Sequence, residues 1–132
     1  MQEVVSVKES VAFSFKSRAR SVQVAWRGLA MVVRSQHNAW IHAYATVGVL
    51  AAGVYFRVAL TEWALLTIAI VGVWSGEAFN TAIEALGDAV SPSHHPLVGR
   101  AKDAAAGAVL ISSIGAIVIG TLIFAPRLAA RF

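Results

Sequence analysis

Long apolar stretches alternate with short polar segments along this chain, and the pattern predicts helices that cross a membrane. A helix needs about 20 predominantly apolar residues to span a bilayer core. Three stretches have about this length, at about 39–57, 63–88 and 103–125. The third is the clearest, because no charged residue lies between positions 104 and 125. Pro126 and Arg127 follow it, and we expect them to close the helix.

The segment before the first span, at about 10–35, has the pattern of an amphipathic helix. Phe15, Val22 and Trp26 recur near helical spacing, with cations between them. A basic helix with an indole ring suits the interface of an anionic leaflet, where each nearby cation contributes about 1 kcal/mol. We therefore expect this helix to lie flat on the membrane. The alternative is a soluble helix that packs on the rest of the chain.

The composition is that of a small membrane protein with a single domain over 1–132. Hydrophobic residues make up 58% of the chain and charged residues 14%, whereas soluble domains have about 45–50% and about 25%. Three spans leave little of the 132 residues for a separate soluble catalytic domain, so any chemistry must take place at the bilayer. Cysteine is absent from the sequence, which excludes disulfides and thiol nucleophiles.

Lysine and arginine residues predict the orientation of the spans. Only Arg57 lies in the loop after the first span, whereas six cations precede that span: Lys8, Lys16, Arg18, Arg20, Arg27 and Arg34. By the positive-inside rule we expect a multi-pass membrane protein with a cytoplasmic amino terminus. Arg127 and Arg131, on the far side, argue weakly against this orientation.

A polar stripe on the second span is the strongest candidate for a functional site. Steps of three and four residues place its members on one helix face: Glu77, Asn80, Glu84 and Asp88. Carboxylates within a membrane are costly and are usually functional. Two of them could hold Mg²⁺, a third could deprotonate a hydroxyl, and Lys102 could neutralise a phosphoryl group. Spacing alone fits an ion pathway or a contact between subunits equally well, and Lys102 could be an ordinary snorkelling cation.

The histidines give weaker signals. His94 and His95 are adjacent in a proline-containing connection at 90–103, and we interpret them as loop residues rather than as zinc ligands. His42, near the start of the first span, could lie near a nucleotide or bond to the backbone. The sequence has neither a GxxxxGK[ST] nor a GxGxxG motif, so soluble nucleotide-binding folds are not indicated.

Two motifs resemble the signature ExxNTAIE…D…AKDxAAGAV of the small prokaryotic diacylglycerol kinase family, which includes the undecaprenol kinases. The first is EAFNTAIE at 77–84, followed by Asp88, and the second is AKDAAAGAV at 101–109. The likeness extends in order and spacing over about 15–124. His42, Glu62-Trp63 and Ser91-Pro92 look closer to the undecaprenol kinase branch.

The resemblance implies an all-α integral membrane protein of the bacterial inner membrane, with three transmembrane helices preceded by an amphipathic surface helix. It further implies a homotrimer with shared active sites, MgATP as phosphoryl donor, a lipid alcohol (undecaprenol or diacylglycerol) as acceptor, and no nucleic-acid partner. Carried over by motif, Glu77 is the general base and Glu84 a magnesium ligand. The nucleotide and phosphate contacts are then Asn80, Asp88, Lys102 and Asp103. The alternative is a non-catalytic oligomeric membrane protein, an ion-conducting or scaffold subunit that keeps the fold.

One position departs from the family pattern. Gln36 stands where the family usually has a glutamate that helps to hold magnesium. An amide offers an oxygen ligand but no charge. We therefore expect weaker or altered metal binding, with His37 or a water supplying part of the shell.

Overall fold

The computed structural model describes residues 14–35, 37–93 and 95–131, and helices dominate this part of the chain. They are α1 (Phe15–Ser35), α2 (His37–Tyr55), α3 (Leu60–Val90) and α4 (Pro96–Ala129). The predicted all-α class is therefore confirmed for the described residues. Gln36 and His94, which entered the sequence predictions, lie outside them.

The antiparallel hairpin of α3 and α4 is the centre of the fold, since these helices make the most extensive contact in the described chain. Gly76 allows the two backbones to approach each other. A Cβ atom at Gly76 would lie 3.1 Å from the Ser112 hydroxyl and 3.6 Å from the Cα atom of Val109. Small residues at such crossings are typical of helices that associate within lipid. Gly72, the other glycine of this GxxxG motif, faces open space.

An ion pair ties α3 to α4 near each end of the hairpin. At the start of α3, Glu62 Oε2 lies 2.6 Å from Nη2 of Arg127, and it also accepts a hydrogen bond from the Ala59 backbone N–H. At the other end of the hairpin, Lys102 pairs with Asp88. The two acids are 26 residues apart on α3, which corresponds to about 39 Å at the rise of an α-helix. The apolar stretches of α3 and α4 therefore lie between two ion pairs, one near each end of the hairpin.

A turn at Arg57 connects α2 to α3 and anchors an apolar core. Arg57 has a φ of 51°, the left-handed conformation that follows many helices. The Val58 backbone N–H donates to the Gly53 carbonyl and the Arg57 N–H donates to that of Val54, the bonding pattern of a Schellman motif. Val58 then packs in a buried cluster with Leu66 and Ile123.

The fourth helix differs from its prediction at both ends. It begins at Pro96, within the segment 90–103 that the sequence analysis assigned to a connection. Proline suits the first helical turn, and the His95 side chain accepts a hydrogen bond from the Leu97 N–H at 3.3 Å. The prediction that Pro126 closes the helix was wrong, because α4 continues through it to Ala129. In this last turn the Arg127 guanidinium bonds both the Ile123 carbonyl and Glu62.

Two of the four described helices, α3 and α4, are long and apolar enough to cross a membrane. Only 28% of the apolar stretch of α3 and 6% of that of α4 are buried within the described chain, whereas the core helix of a soluble protein is mostly buried. α2 has 19 residues, about 29 Å of helix, and its first turns carry Asn38 and His42. It is not among the candidate spans, so the third span stays a prediction.

Candidate active site

A cavity of about 290 Å³ lies where α2 meets the α3–α4 hairpin. Its walls combine polar side chains of α2 and α3 with mainly apolar side chains of α4. The residues that line it are Asn38, Ile41, His42, Glu77, Asn80, Glu84, Ala106, Val109, Leu110 and Ser113. Three members of the predicted polar stripe are therefore gathered in one concave site.

The stripe enters the cavity because its residues follow the helical repeat of α3. Glu77, Asn80 and Glu84 are three and four residues apart and share one side of the helix. Glu77 is 1% exposed and Asn80 6% exposed. Asp88, one turn beyond Glu84, is not among the residues that line the cavity. The cavity wall therefore carries two acidic residues, of which Glu77 is buried and Glu84 half-buried.

Three buried oxygen atoms in the cavity have no hydrogen-bond partner among the described residues: both carboxylate oxygens of Glu77 and the amide oxygen of Asn80. The Asn80 amide nitrogen donates to Glu84 Oε1 at 3.1 Å, which directs the amide oxygen elsewhere. An unpartnered buried polar group costs about 1–3 kcal/mol, and more when it is charged. Such groups are rare in folded proteins, and functional sites are one of the places where they occur.

His42 is the residue of α2 that approaches Glu77. Its Nε2 atom lies 3.7 Å from Glu77 Oε2, within ion-pair range but beyond hydrogen-bond length. The sequence is equally consistent with a nucleotide contact of His42 and with a bond from His42 to the backbone. Its position beside the buried carboxylate was missed, because no local pattern relates a residue of α2 to one of α3.

A hydrogen bond between α2 and α3 turns the side of α2 that carries His42 toward α3. The Trp74 indole N–H donates to the Thr46 hydroxyl at 3.1 Å, and that hydroxyl donates to the His42 carbonyl at 2.7 Å. Trp74 is one turn before Glu77 on α3, so the bond holds α2 at the level of the carboxylate. A tryptophan deep within an apolar stretch, with a polar group to satisfy, was the available signal.

The remaining predicted site residues lie at the end of the hairpin, beyond the cavity. Lys102 reaches across from α4 to Asp88, whose side chain is 73% exposed. Gly87 leaves space for the lysine, since a Cβ atom there would lie 2.9 Å from Lys102 Cε and 2.9 Å from a Val98 methyl group. Asp103 is exposed on the first turns of α4. These groups form a charged rim next to the cavity rather than part of its wall.

The oxygen atoms that line the cavity are of the kind that binds a magnesium ion. Mg²⁺ takes oxygen ligands and is usually held by one or two carboxylates together with substrate phosphates. Glu84 and the free amide oxygen of Asn80 provide such oxygens. No group of three His, Asp or Glu side chains within 14–35, 37–93 and 95–131 is arranged to hold a metal ion by itself. Gln36, the other predicted ligand, lies outside the described residues.

Comparison with known proteins places these motifs in a family. The sequence profile described as prokaryotic diacylglycerol kinase matches residues 23–124. Undecaprenol kinase from Bacillus subtilis is 41% identical over 104 residues, which cover 79% of this chain and 85% of that protein. Diacylglycerol kinase from Synechocystis is 35% identical over 109 residues, or 82% of this chain and 62% of that protein. Diacylglycerol kinase from Escherichia coli K12 is 34% identical over 103 residues, or 70% and 76%. The chain therefore belongs to the prokaryotic diacylglycerol kinase family and is a lipid kinase.

Proposed function

We propose that this protein is an integral membrane kinase that transfers the γ-phosphoryl group of MgATP to the hydroxyl of a membrane lipid alcohol. The observation that carries the proposal is the group of unpartnered buried oxygens of Glu77 and Asn80, which line a cavity together with Glu84. A polar contact between subunits would instead leave these oxygens on an outer face of the helices.

Undecaprenol is the first acceptor in this proposal and diacylglycerol the second. The order is supported by the higher identity to a relative named undecaprenol kinase, at 41%, than to relatives named diacylglycerol kinase, at 35% and 34%. The product is a lipid phosphate, which gives the enzyme a place in cell-envelope or phospholipid metabolism.

Glu77 is the proposed general base. Its carboxylate lines the cavity, and no described donor occupies its oxygens, so it is free to accept the proton of an acceptor hydroxyl. Removal of that proton makes the lipid oxygen a better nucleophile toward phosphorus. A positioned base of this kind contributes about 10²- to 10⁴-fold to the rate.

The polar groups beyond Glu77 are assigned to the nucleotide. In this proposal Glu84 and Gln36 hold magnesium, which when bound neutralises charge on the phosphates. Asn80 orients Glu84 through its hydrogen bond. Lys102, Asp103 and Asp88 contact the phosphates and nucleotide at the rim. The Lys102–Asp88 pair must then exchange partners when the triphosphate enters.

The proposed topology has α3 and α4 as spans, with the Asp88–Lys102 end of the hairpin in the cytoplasm. Large apolar side chains of α4, such as Ile111 at 74% and Leu122 at 72% exposure, have no cover within the chain and suit lipid or other subunits. The separation of the two ion pairs, about 39 Å along α3, matches a hydrocarbon core of about 30 Å with its interfaces. We further propose that α2 is the remaining span, that α1 lies on the inner surface, and that three subunits assemble.

The decisive experiment uses the purified protein in lipid nanodiscs with MgATP. Undecaprenol, diacylglycerol and ceramide are added separately, and both ADP release and the lipid phosphate are measured. We expect turnover that depends on the lipid alcohol, highest with undecaprenol. Absence of such turnover with all three alcohols would contradict the proposal and favour a non-catalytic role.

Two variants connect the activity to the cavity. Glu77→Gln keeps the size of the side chain and removes the base, so we expect a loss of about 10²- to 10⁴-fold in kcat with unchanged assembly by size-exclusion chromatography. Ser75→Ala is the matched control, because Ser75 is exposed on the same helix two residues earlier. Retained activity in Glu77→Gln refutes the assignment of Glu77 as the base.

A further inference from the structure

A buried base has to release the proton that it takes from its substrate. Glu77 is 1% exposed, so water does not reach its carboxylate freely in the described chain. Once protonated, the carboxyl group would be unable to act in a second cycle. In the proposed function, a second group next to Glu77 would take this proton.

His42 is placed to be that group. Its Nε2 atom lies 3.7 Å from Glu77 Oε2, and its side chain is 15% exposed, against 1% for that of Glu77. The imidazole is therefore more accessible to solvent than the carboxylate beside it. Catalytic hydrogen bonds are often longer before substrate binds and shorten in the reacting complex.

The other residues of the cavity wall are less suited to accept a proton from Glu77. Among the residues that line the cavity, α4 contributes Ala106, Val109, Leu110 and Ser113, none of which titrates in the ordinary range. On α3, Glu84 is the remaining ionisable group of the cavity wall, and one of its oxygens already accepts a hydrogen bond from Asn80. In the part of the chain that the structure describes, His42 is the ionisable group within ion-pair distance of Glu77.

The position of His42 is built into the contact between α2 and α3. The Thr46 hydroxyl bonds the His42 carbonyl, and the Trp74 indole holds that hydroxyl from α3. This chain of two hydrogen bonds fixes the turn of α2 that carries the imidazole. These contacts hold the turn of α2 that carries His42 next to the turn of α3 that precedes Glu77.

We propose that His42 is a positioning residue that orients the Glu77 carboxylate and accepts its proton after each transfer. The inference rests on the proposed function. As the lipid oxygen bonds to phosphorus and the bond from phosphorus to the ADP oxygen breaks, the hydroxyl proton moves to Glu77. It then passes to Nε2 of a neutral His42. The imidazolium loses one proton to water, and Glu77 is again a carboxylate.

Chemical rescue tests this proposal in the full-length protein in nanodiscs. His42→Ala opens space for a small ring beside Glu77, and we expect kcat to fall by roughly 10²-fold with little change in the KM of either substrate. Added imidazole should restore a large part of the rate, and 4-methylimidazole, which is more basic, should restore more. Pyrazole has the same size but is far less basic, and it should restore none.

Matched variants separate this role from a structural one. His95→Ala removes a histidine that lies at the start of α4, outside the cavity, and its rate should not respond to imidazole. His42→Gln keeps a polar side chain of similar size and should preserve the melting temperature if His42→Ala lowers it. In His42→Gln, activity should remain low although the fold is intact.

The outcomes distinguish the two proposals. If the wild type shows no ADP release that depends on lipid alcohol, the proposed function fails. If the wild type is active and His42→Gln retains its kcat, the relay fails while the kinase assignment stands. The relay also fails if pyrazole restores His42→Ala as well as imidazole does, because the ring would then only fill space.

Discussion

The two halves of the α3–α4 hairpin are closed by similar ion pairs, but one half has an apolar interior and the other a polar interior. Each half ends in an ion pair between the helices, Glu62–Arg127 in one and Asp88–Lys102 in the other. Behind the first pair lies an apolar cluster around Leu66. In the second half, buried oxygens of Glu77 lack partners. The first half is held by apolar packing, whereas the second retains buried polar groups, which a substrate would bond in the proposed function.

The contrast suggests how stability and activity are divided along the molecule. Buried polar groups without partners lower the stability of a fold, and functional sites commonly retain such groups at a cost to stability. The apolar half can offset this cost because its contacts do not depend on any ligand. Substitutions in the two halves should therefore change different quantities.

The largest effect is expected where the polar half is made apolar. Glu77→Met fills a similar volume without a charge, so the free energy of unfolding should rise by about 1–3 kcal/mol, the cost of the buried unsatisfied group. Lipid phosphorylation should fall by about 10²- to 10⁴-fold. Thermal unfolding in detergent and the nanodisc assay measure the two effects. A variant that is both inactive and less stable would show that Glu77 supports the fold.

The opposite result is expected in the apolar half. Leu66 is 2% exposed and contacts Val58 and Ile123, so Leu66→Ala removes packed atoms and leaves a cavity. The free energy of unfolding should fall by about 2 kcal/mol, the low end for such a change, because lipid rather than water surrounds the helices. kcat measured per folded protein should stay within a factor of two or three of wild type. Leu65→Ala, at an exposed neighbouring position, is the control and should change neither quantity. A large loss of kcat in Leu66→Ala would couple the two halves.

The sequence predicts the polar residues of α3 better than it predicts the contacts of α2 or the end of α4. The positions of Glu77, Asn80 and Glu84 follow from the helical repeat alone, which is a local property. The approach of His42 depends on how α2 is rotated against α3, and that rotation is set by contacts distant in sequence. The end of α4 was also missed: the helix continues through Pro126, and Arg127 in this last turn bonds Glu62, 65 residues away in the chain.

The two ion pairs should differ in their contribution to stability. Glu62 and Arg127 are 23% and 29% exposed, and each makes a further hydrogen bond to the backbone. Glu62→Gln should therefore lower the free energy of unfolding by more than Asp88→Asn does, although exposed ion pairs contribute little in general. Asp88 is 73% exposed, so Asp88→Asn should leave the melting temperature nearly unchanged and raise the KM for ATP. Guanidinium or thermal unfolding of both variants, with ATP titrations, checks the order. A reversed order would mean that the rim of the site, rather than the opposite end, holds the hairpin closed.

The smallest effect tests the turn that leads into the apolar half. Arg57 adopts a φ of 51°, which costs a residue with a Cβ atom about 1 kcal/mol and glycine almost nothing. Arg57→Gly should therefore raise the free energy of unfolding by roughly 0.5 kcal/mol, after the greater chain entropy of glycine is subtracted. Arg57→Ala removes the same charge but keeps the Cβ atom, so it should give no gain. Gly53→Ala, four residues earlier, should have the opposite sign, since its Cβ atom would lie 2.6 Å from the Trp63 ring. If Arg57→Ala stabilises the protein as much as Arg57→Gly does, removal of the cation rather than the backbone conformation is responsible.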